Sequence, residues 1–274
     1  MNARVWRLIL EGRNSGARNM AVDGAIFQAV EKGESPPTVR IYGWEPFCVT
    51  LGYFQDPAVE LDLEAMAERG WDFVLRPTGG RAVLHAEEIT YSLSAAKDAA
   101  PWCATLALSH ARIGEAWAEA LRDFSPRLAS GAALEDARKG TGPGLPCFAS
   151  TARSELTHAG RKIIGSAQRR TRNAFLQHGS IPLTPRHESL VEVLKLDPER
   201  RRAYLKVLRQ HAVSLGEIGP IPSDREPWIQ RLARTFCSSL GIAVEAKGLS
   251  AAEEAAALEL EKIRRIPALS VSHA

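Results

Sequence analysis

The sequence predicts an α+β fold of mixed or antiparallel sheets flanked by helices, with a helical C-terminal segment. Short β-branched and aromatic runs occur in groups, without the strict strand–helix–strand alternation of a parallel sheet. Residues 19–31 and 105–124 place apolar side chains at helical spacing. From His187 onward the pattern turns helical and charged, ending in the Ala/Glu-rich stretch 251–264. These shifts divide the chain into a main α+β domain over 1–186 and a helical segment over 187–274 packed on it.

Taken in order, residues 5–10 read as a first strand. The helix over 19–31 carries Met20, Ala21, Ile26, Phe27 and Val30 on one face, with Asp23 near its start. Pro36-Pro37 breaks the chain before strands over 38–44 and 48–53. Residues 61–68 form a short amphipathic helix ended by Gly70. Segments 73–76, 82–85 and 89–93 read as three strands joined by tight turns. The helix over 105–124 has Leu106, Ile113, Trp117, Leu121 and Phe124 in one buried stripe. Residues 130–145 are Gly/Ala/Pro-rich and read as a mobile loop, and 155–182 as strand hairpins.

The composition bounds the function. With 274 residues, 45% hydrophobic and 24% charged, the chain can bury a sizeable core. A formal charge of +3 is too small to argue for nucleic acid on its own, and no nucleic-acid partner is expected. No apolar run is long enough to span a bilayer, and the charged start, Met-Asn-Ala-Arg-Val-Trp-Arg, does not resemble a signal peptide. The four cysteines, Cys48, Cys103, Cys147 and Cys237, include no C-x-x-C pair. That spacing favours neither a zinc site nor a disulfide framework, and a cytoplasmic location follows as the expectation.

Three motifs carry chemistry. The densest is Arg76-Pro-Thr-Gly-Gly-Arg-Ala-Val-Leu-His85. Paired glycines let the backbone approach a ligand closely and expose N–H groups to a carbonyl, carboxylate or phosphate. Taken alone, such a pair is more often a plain hairpin turn. Cys147-Phe148 closes a Gly/Pro-rich stretch and precedes Gly160-Arg-Lys-Ile-Ile-Gly-Ser-Ala-Gln168. A thiol followed by a lysine in a short apolar strand is the raw material of an activated nucleophile, because a nearby ammonium favours the thiolate. A lysine at a strand edge is otherwise simply solvated. The third motif, Leu176-Gln-His-Gly-Ser-Ile-Pro-Leu183, contains a lone His178 that reads as a structural residue.

In sequence order these motifs resemble the biotin/lipoate protein ligase superfamily. Thr90-Tyr-Ser92, Gln177-His-Gly-Ser-Ile181, Asn19-Met-Ala-Val-Asp23 and Tyr42-Gly-Trp44…Gly52-Tyr-Phe-Gln55 extend the likeness over about residues 6–183. Cys147-Phe148 is similar to the loop of the LipM-type octanoyltransferases. The resemblance implies Cys147 as acyl-thioester nucleophile and Lys162 as the lysine that lowers its pKa. Arg76, Thr78, Gly79, Gly80, Arg81, His85, Gly165, Ser166 and Ala167 are its implied substrate-binding residues. The implied donor is octanoyl-acyl carrier protein, and the implied acceptor a lysine of a lipoyl domain or of glycine cleavage H protein, with no cofactor. Val83, Leu84, Tyr42 and Ile164 are candidates to line an acyl slot. Arg169-Arg-Thr-Arg172 is a candidate patch for steering acidic partners. The chain departs from the family pattern at Leu75, Ala86 and Ala149, where an arginine and two acidic residues are usual. An ATP-dependent lipoate ligase, an octanoyl amidotransferase acting between lipoyl proteins, and a lipoyl-binding protein without chemistry are the alternatives.

Overall fold

In the computed structural model, residues 5–125, 128–130 and 156–264 are described. The catalytic expectation placed on Cys147, and the loop expected over 130–145 beyond Ser130, lie outside them.

Nine-residue β1 (Trp6–Asn14) leads into helix α1 (Gly16–Lys32). The helix begins earlier than apolar periodicity alone predicts because the Ser15 side chain accepts from the Arg18 N–H and caps it. Strands β2 (Thr38–Trp44) and β3 (Cys48–Leu51) follow. Short helices α2 (Pro57–Glu60) and α3 (Leu63–Glu68), each capped by an aspartate, connect to β4 (Asp72–Leu75). Then come β5 (Val83–His85), β6 (Glu88–Ala96) and α4 (Leu106–Ala120). Strands β7 (Leu128–Ser130), β8 (Leu156–His158), β9 (Arg161–Lys162), β10 (Gly165–Arg170) and β11 (Ala174–Pro182) precede a 3-10 helix, Pro185–Glu192. The chain continues through α5 (Pro198–His211), α6 (Leu215–Ile218), α7 (Arg225–Ser239), β12 (Val244–Ala246) and α8 (Ala251–Arg264).

The main sheet runs β10-β11-β6-β2-β1-β12. It is mixed: β1 is parallel to both β2 and β12, whereas β2, β6, β11 and β10 pair antiparallel. Its two faces are covered separately. On one, Tyr91, Ile89 and Leu8 pack against Trp117 of α4 and Phe236 of α7, whose rings stack at 4.3 Å. On the other, Ile9, Ala174 and Leu176 pack against Val22, Ile26 and Val30 of α1 and Ala257 of α8. The stretch after 187 is therefore not only helical, since β12 completes the sheet beside β1.

The tight turns expected between 73–76, 82–85 and 89–93 are not hairpins. Strands β4 and β5 do not pair with each other, because β3 lies between them, parallel to β4 and antiparallel to β5. β6 belongs to the other sheet. The Gly79-Gly80 segment thus crosses over the end of β3 instead of turning a hairpin. Two observations require glycine there. Gly80 has φ +99°, a region closed to most side chains. A Cβ on Gly52, just past β3, would lie 1.9 Å from the Gly80 carbonyl oxygen. The hairpins expected over 155–182 do form, β8–β9 and β10–β11, but in different sheets separated at buried Ile163 and Ile164.

Candidate active site

The six-stranded sheet and the β4-β3-β5 sheet meet over a cavity with roughly 420 Å³ of empty space, part of it open to solvent. One wall comes from α1, β2 and β3, through Met20, Tyr42, Trp44 and Thr50. A second comes from Arg76, Val83, His85 and Thr90. The third comes from Gly165, Ser166 and Ala167 of β10, facing His178, Gly179 and Ser180 of β11. β10 is the edge strand of the main sheet, so part of its backbone polar groups is left without a strand partner.

The walls are held by two hydrogen-bond chains. In the first, Arg76 donates to the Thr50 carbonyl at 2.9 Å and to Thr50 Oγ1 at 3.2 Å. Thr50 Oγ1 lies 2.8 Å from His85 Nε2, and His85 Nδ1 lies 2.7 Å from Glu88 Oε1. Glu88 also accepts from Thr90 and, at 2.5 Å, from Ser180. Burial raises the Glu88 carboxyl, but His85, Ser180 and Thr90 outweigh it and hold it below the usual carboxylate range. The His85 ring stacks on Trp44 at 4.2 Å, and Trp44 Nε1 donates to Thr90 at 2.7 Å. His85 is thus a fixed wall with both ring nitrogens engaged. Ala86 carries no acid, and the carboxylate that engages His85 is Glu88.

The second chain starts from Arg40, fully buried although charged. Its guanidinium donates to Glu11 at 2.7 Å, to Asn19 Oδ1 at 2.8 Å and to Asp23 Oδ1 at 2.8 Å. Asp23 also accepts from Ser92 at 2.7 Å and from Tyr42 at 2.8 Å. Burial alone would raise the Asp23 carboxyl. Arg40, then His178 and Ser92, overcome this and hold it at about 2. His178 Nδ1 is 3.9 Å from Asp23 Oδ2, and Nε2 is 2.6 Å from Thr78 Oγ1. Burial pushes the His178 imidazole down despite Asp23, so it is neutral at neutral pH and can accept the Thr78 proton at Nε2.

Of the residues expected at the site, Arg76, His85, Gly165, Ser166 and Ala167 converge on the cavity. Thr78 is buried behind His178. Gly79, Gly80 and Arg81 are not among the cavity-lining residues. Arg76 donates to the Gly79 and Arg81 carbonyls at 2.9 and 2.8 Å, holding that turn in shape. Lys162 also lies off the cavity. At 2% exposure it is not the solvated lysine of a strand edge. Its carbonyl accepts from the Val213 N–H at 3.0 Å. Its charge lies near α4, where burial first and then Lys162 and Arg170 push His110 down. Tyr42 and Val83 line the cavity as expected, but Leu84 and Ile164 do not. Alternation along β5 turns Leu84 away from the cavity to pack with Val49, Leu51 and Leu61, while Ile164, in the link between β9 and β10, packs in the core beside α4. Arg170 donates to the Cys103 and Ala104 carbonyls and stacks over Phe175, leaving only Arg169 and Arg172 exposed in the expected basic patch.

His178, Asp23, Glu88 and Trp44 were not anticipated as site residues. A signal for Asp23 existed: Asp23 in an apolar helix and its partner Arg40 in an apolar strand are charges with nowhere to go but each other.

A family model for the lipoyl protein ligase A/B catalytic domain matches residues 15–237. The chain belongs to the lipoyl protein ligase A/B family. Its relatives include an octanoyltransferase LipM of Kyrpidia tusciae, 39% identical over 260 residues, covering 94% of this chain and 95% of the relative. The LipM of Moorella thermoacetica is 40% identical over 220 residues, 80% of each chain. Among solved structures, a bipartite lipoate protein ligase from Thermoplasma acidophilum superposes with a TM-score of 0.76 at 24% identity, covering 94% of this chain and 92% of that one. At that identity the likeness speaks for the fold. Among the described residues no helix is long and apolar enough to cross a membrane.

Proposed function

We propose that this protein is an octanoyltransferase of lipoate biosynthesis that forms an acyl thioester on Cys147 and passes it to a lysine of a lipoyl-domain protein. The observation that carries the reading is the identity to LipM octanoyltransferases over nearly the whole chain, with Cys147-Phe148 and Gly160-Arg-Lys162 both present.

The donor is octanoyl-acyl carrier protein. The Cys147 thiolate attacks the donor carbonyl, a new carbon–sulfur bond forms, and the carrier's thiolate leaves and takes up a proton. The acceptor ε-amine then attacks the enzyme thioester. The amide forms, the Cys147 thiolate departs, and the proton lost by the amine passes to solvent. Exchange of one thioester for another is nearly balanced and amide formation is downhill, so the sequence runs without ATP. Lys162 favours the thiolate by its charge. The cavity takes the octanoyl chain. At ~0.8 kcal/mol per methylene, burying about six supplies roughly 5 kcal/mol, enough to select length while still releasing product.

Three other thiols compete poorly. Burial raises Cys48 well above its ordinary value and pushes Cys103 and Cys237 up to about 12.

The test is intact-protein mass spectrometry after mixing with octanoyl-acyl carrier protein without ATP, beside Cys147→Ala. A hydroxylamine-labile octanoyl adduct on the wild type alone is the expected result. No adduct on either protein, with an adenylate formed once ATP and lipoate are supplied, overturns it in favour of a ligase.

A further inference from the structure

Helix α5 lies directly behind the cavity. Its inner residues Leu208 and Ala212 pack on Val83, which lines the cavity, and on Val191 of the 3-10 helix. Its C-terminal end touches the other functional element, since Ala212 bridges Lys162 and the Val213 N–H bonds the Lys162 carbonyl. The outer flank has a different character. Arg202, Lys206 and Arg209, spaced four and three residues apart, fall on one side of the helix. All three are exposed, as is Arg186, which shares a surface groove with Arg209 and Leu205.

Three acidic residues, Glu87, Glu188 and Glu192, also line that groove, and two of them are already paired. Glu188 pairs with Arg209 at 2.8 Å, and Glu192 pairs with Arg69 at 3.1 Å. Arg186, Arg202 and Lys206 make no ion pair among the described residues. In a chain with a formal charge of only +3, this is a concentrated positive field on the helix that backs the cavity wall.

We infer that the outer flank of α5, through Arg186, Arg202 and Lys206, is the docking surface for an acidic protein that delivers the acyl group, which on the octanoyltransferase reading above is the acyl carrier donor. Reach decides between donor and acceptor, both of which can be acidic. The flank is separated from the cavity by the thickness of a helix, ~10 Å. A lysine side chain on a docked acceptor is too short to cross that depth and then enter the cavity. The phosphopantetheine arm of a carrier is long and flexible enough to pass around the helix from a carrier seated on its outer flank. Opposite charge then raises the encounter rate without adding any contact at the reacting carbonyl.

The experiment compares the full-length protein with R202E/K206E for single-turnover acylation of Cys147, using octanoyl-acyl carrier protein and, separately, uncharged octanoyl-pantetheine. Wild type must first form the adduct, so failure of the thioester reading is seen before the docking surface is tested. The expected result is a loss of roughly tenfold or more with the carrier donor and an unchanged rate with octanoyl-pantetheine. The wild-type carrier rate should also fall with added salt, and the variant's should not. Equal rates for both proteins with the carrier donor overturn the inference. So does a loss confined to the second half-reaction, transfer from preformed octanoyl-enzyme to a lipoyl domain, which would make the flank an acceptor site. Binding of octanoyl-carrier to Cys147→Ser, followed by calorimetry, must weaken on adding R202E/K206E, and unaltered affinity also sinks it.

Discussion

His178 Nε2 lies 2.6 Å from Thr78 Oγ1, tying the glycine-rich crossover to the central strand β11. Behind His178 stands Asp23, and behind Asp23 stands Arg40. The crossover is therefore tied to a buried charge pair on α1 and β2 as well as to Arg76 at the end of β4. Removing the hydroxyl in Thr78→Val leaves His178 Nε2 without its partner in a buried site, at a cost of ~1–3 kcal/mol. The expected outcome is a roughly tenfold or greater drop in kcat/KM for octanoyl transfer. Thr78→Ser should restore most of the rate, because it keeps the hydroxyl and loses only a methyl. A Thr78→Ser variant as impaired as Thr78→Val would show that packing, not the hydrogen bond, matters.

Asp23→Asn leaves Arg40 fully buried with its main counter-charge gone. Breaking one partner of a buried pair costs ~3–5 kcal/mol, because the remaining charge cannot return to water. Thermal unfolding should show a marked fall in Tm. The double variant Asp23→Asn/Arg40→Met removes both charges and should recover part of the loss. An unchanged Tm in the single variant would mean that Glu11 alone satisfies Arg40.

Stability should fall on the acid side for a defined reason. The Asp23 and Glu253 carboxyls are each held at about 2 in the folded protein. For Glu253, burial works upward, but Arg7, which grips it at 2.6 Å through both oxygens, outweighs that together with Ser250 and Ser35. A depressed carboxyl adds stability that is complete above its unfolded value, ~3.9 for Asp and ~4.3 for Glu. That stability is lost as pH falls from about 5 towards 2. Glu253 joins α8 to β1, so the C-terminal helix should loosen with it. Urea unfolding of the wild type at pH 7 and pH 3.5 should differ more than that of Glu253→Gln. Equal pH dependence in the two proteins would rule the pair out as a source of acid sensitivity.

Gly52→Ala tests the crossover from its other side. A methyl 1.9 Å from the Gly80 carbonyl oxygen cannot be accommodated by a rotamer change, since backbone must move. Acyl transfer should collapse while helix content by circular dichroism stays near that of the wild type. Normal kinetics in this variant would mean that the turn is not required in its observed shape.

The elements were legible in the sequence where a local rule fixed them. Apolar spacing gave α1 and α4, and the hairpins β8–β9 and β10–β11 followed from short strands and polar turns. What local pattern could not give was partner choice. The segments that became β4 and β5 looked like the two arms of a hairpin, yet β3, from earlier in the chain, pairs with both. The same limit applied to the site. Arg76, His85 and Gly165–Ala167 stood out because glycines and charges crowd together in sequence. Asp23 and His178 act through residues far away in sequence, and Glu88 joins its neighbours His85 and Thr90 to the distant Ser180. Their burial, which gives them their roles, comes only from the packing of two sheets.

The remaining cysteines make the nucleophile assignment testable without substrate. Cys48, Cys103 and Cys237 are all buried, and burial pushes the last two up to about 12. At pH 7.5 their thiolate fraction is negligible and access is blocked, so alkylation should be slow on both counts. A nucleophile kept as thiolate by a neighbouring lysine reacts fast at the same pH. Native protein treated with limiting iodoacetamide should therefore take up a single equivalent, mapped by peptide mass spectrometry to Cys147. Prior octanoylation should block that uptake, and Lys162→Met should slow it by at least tenfold at pH 7 and less at pH 9, where the thiol ionises unaided. Modification at Cys103 or Cys237 before Cys147, or a rate indifferent to Lys162, would remove the lysine from the activation of the thiol.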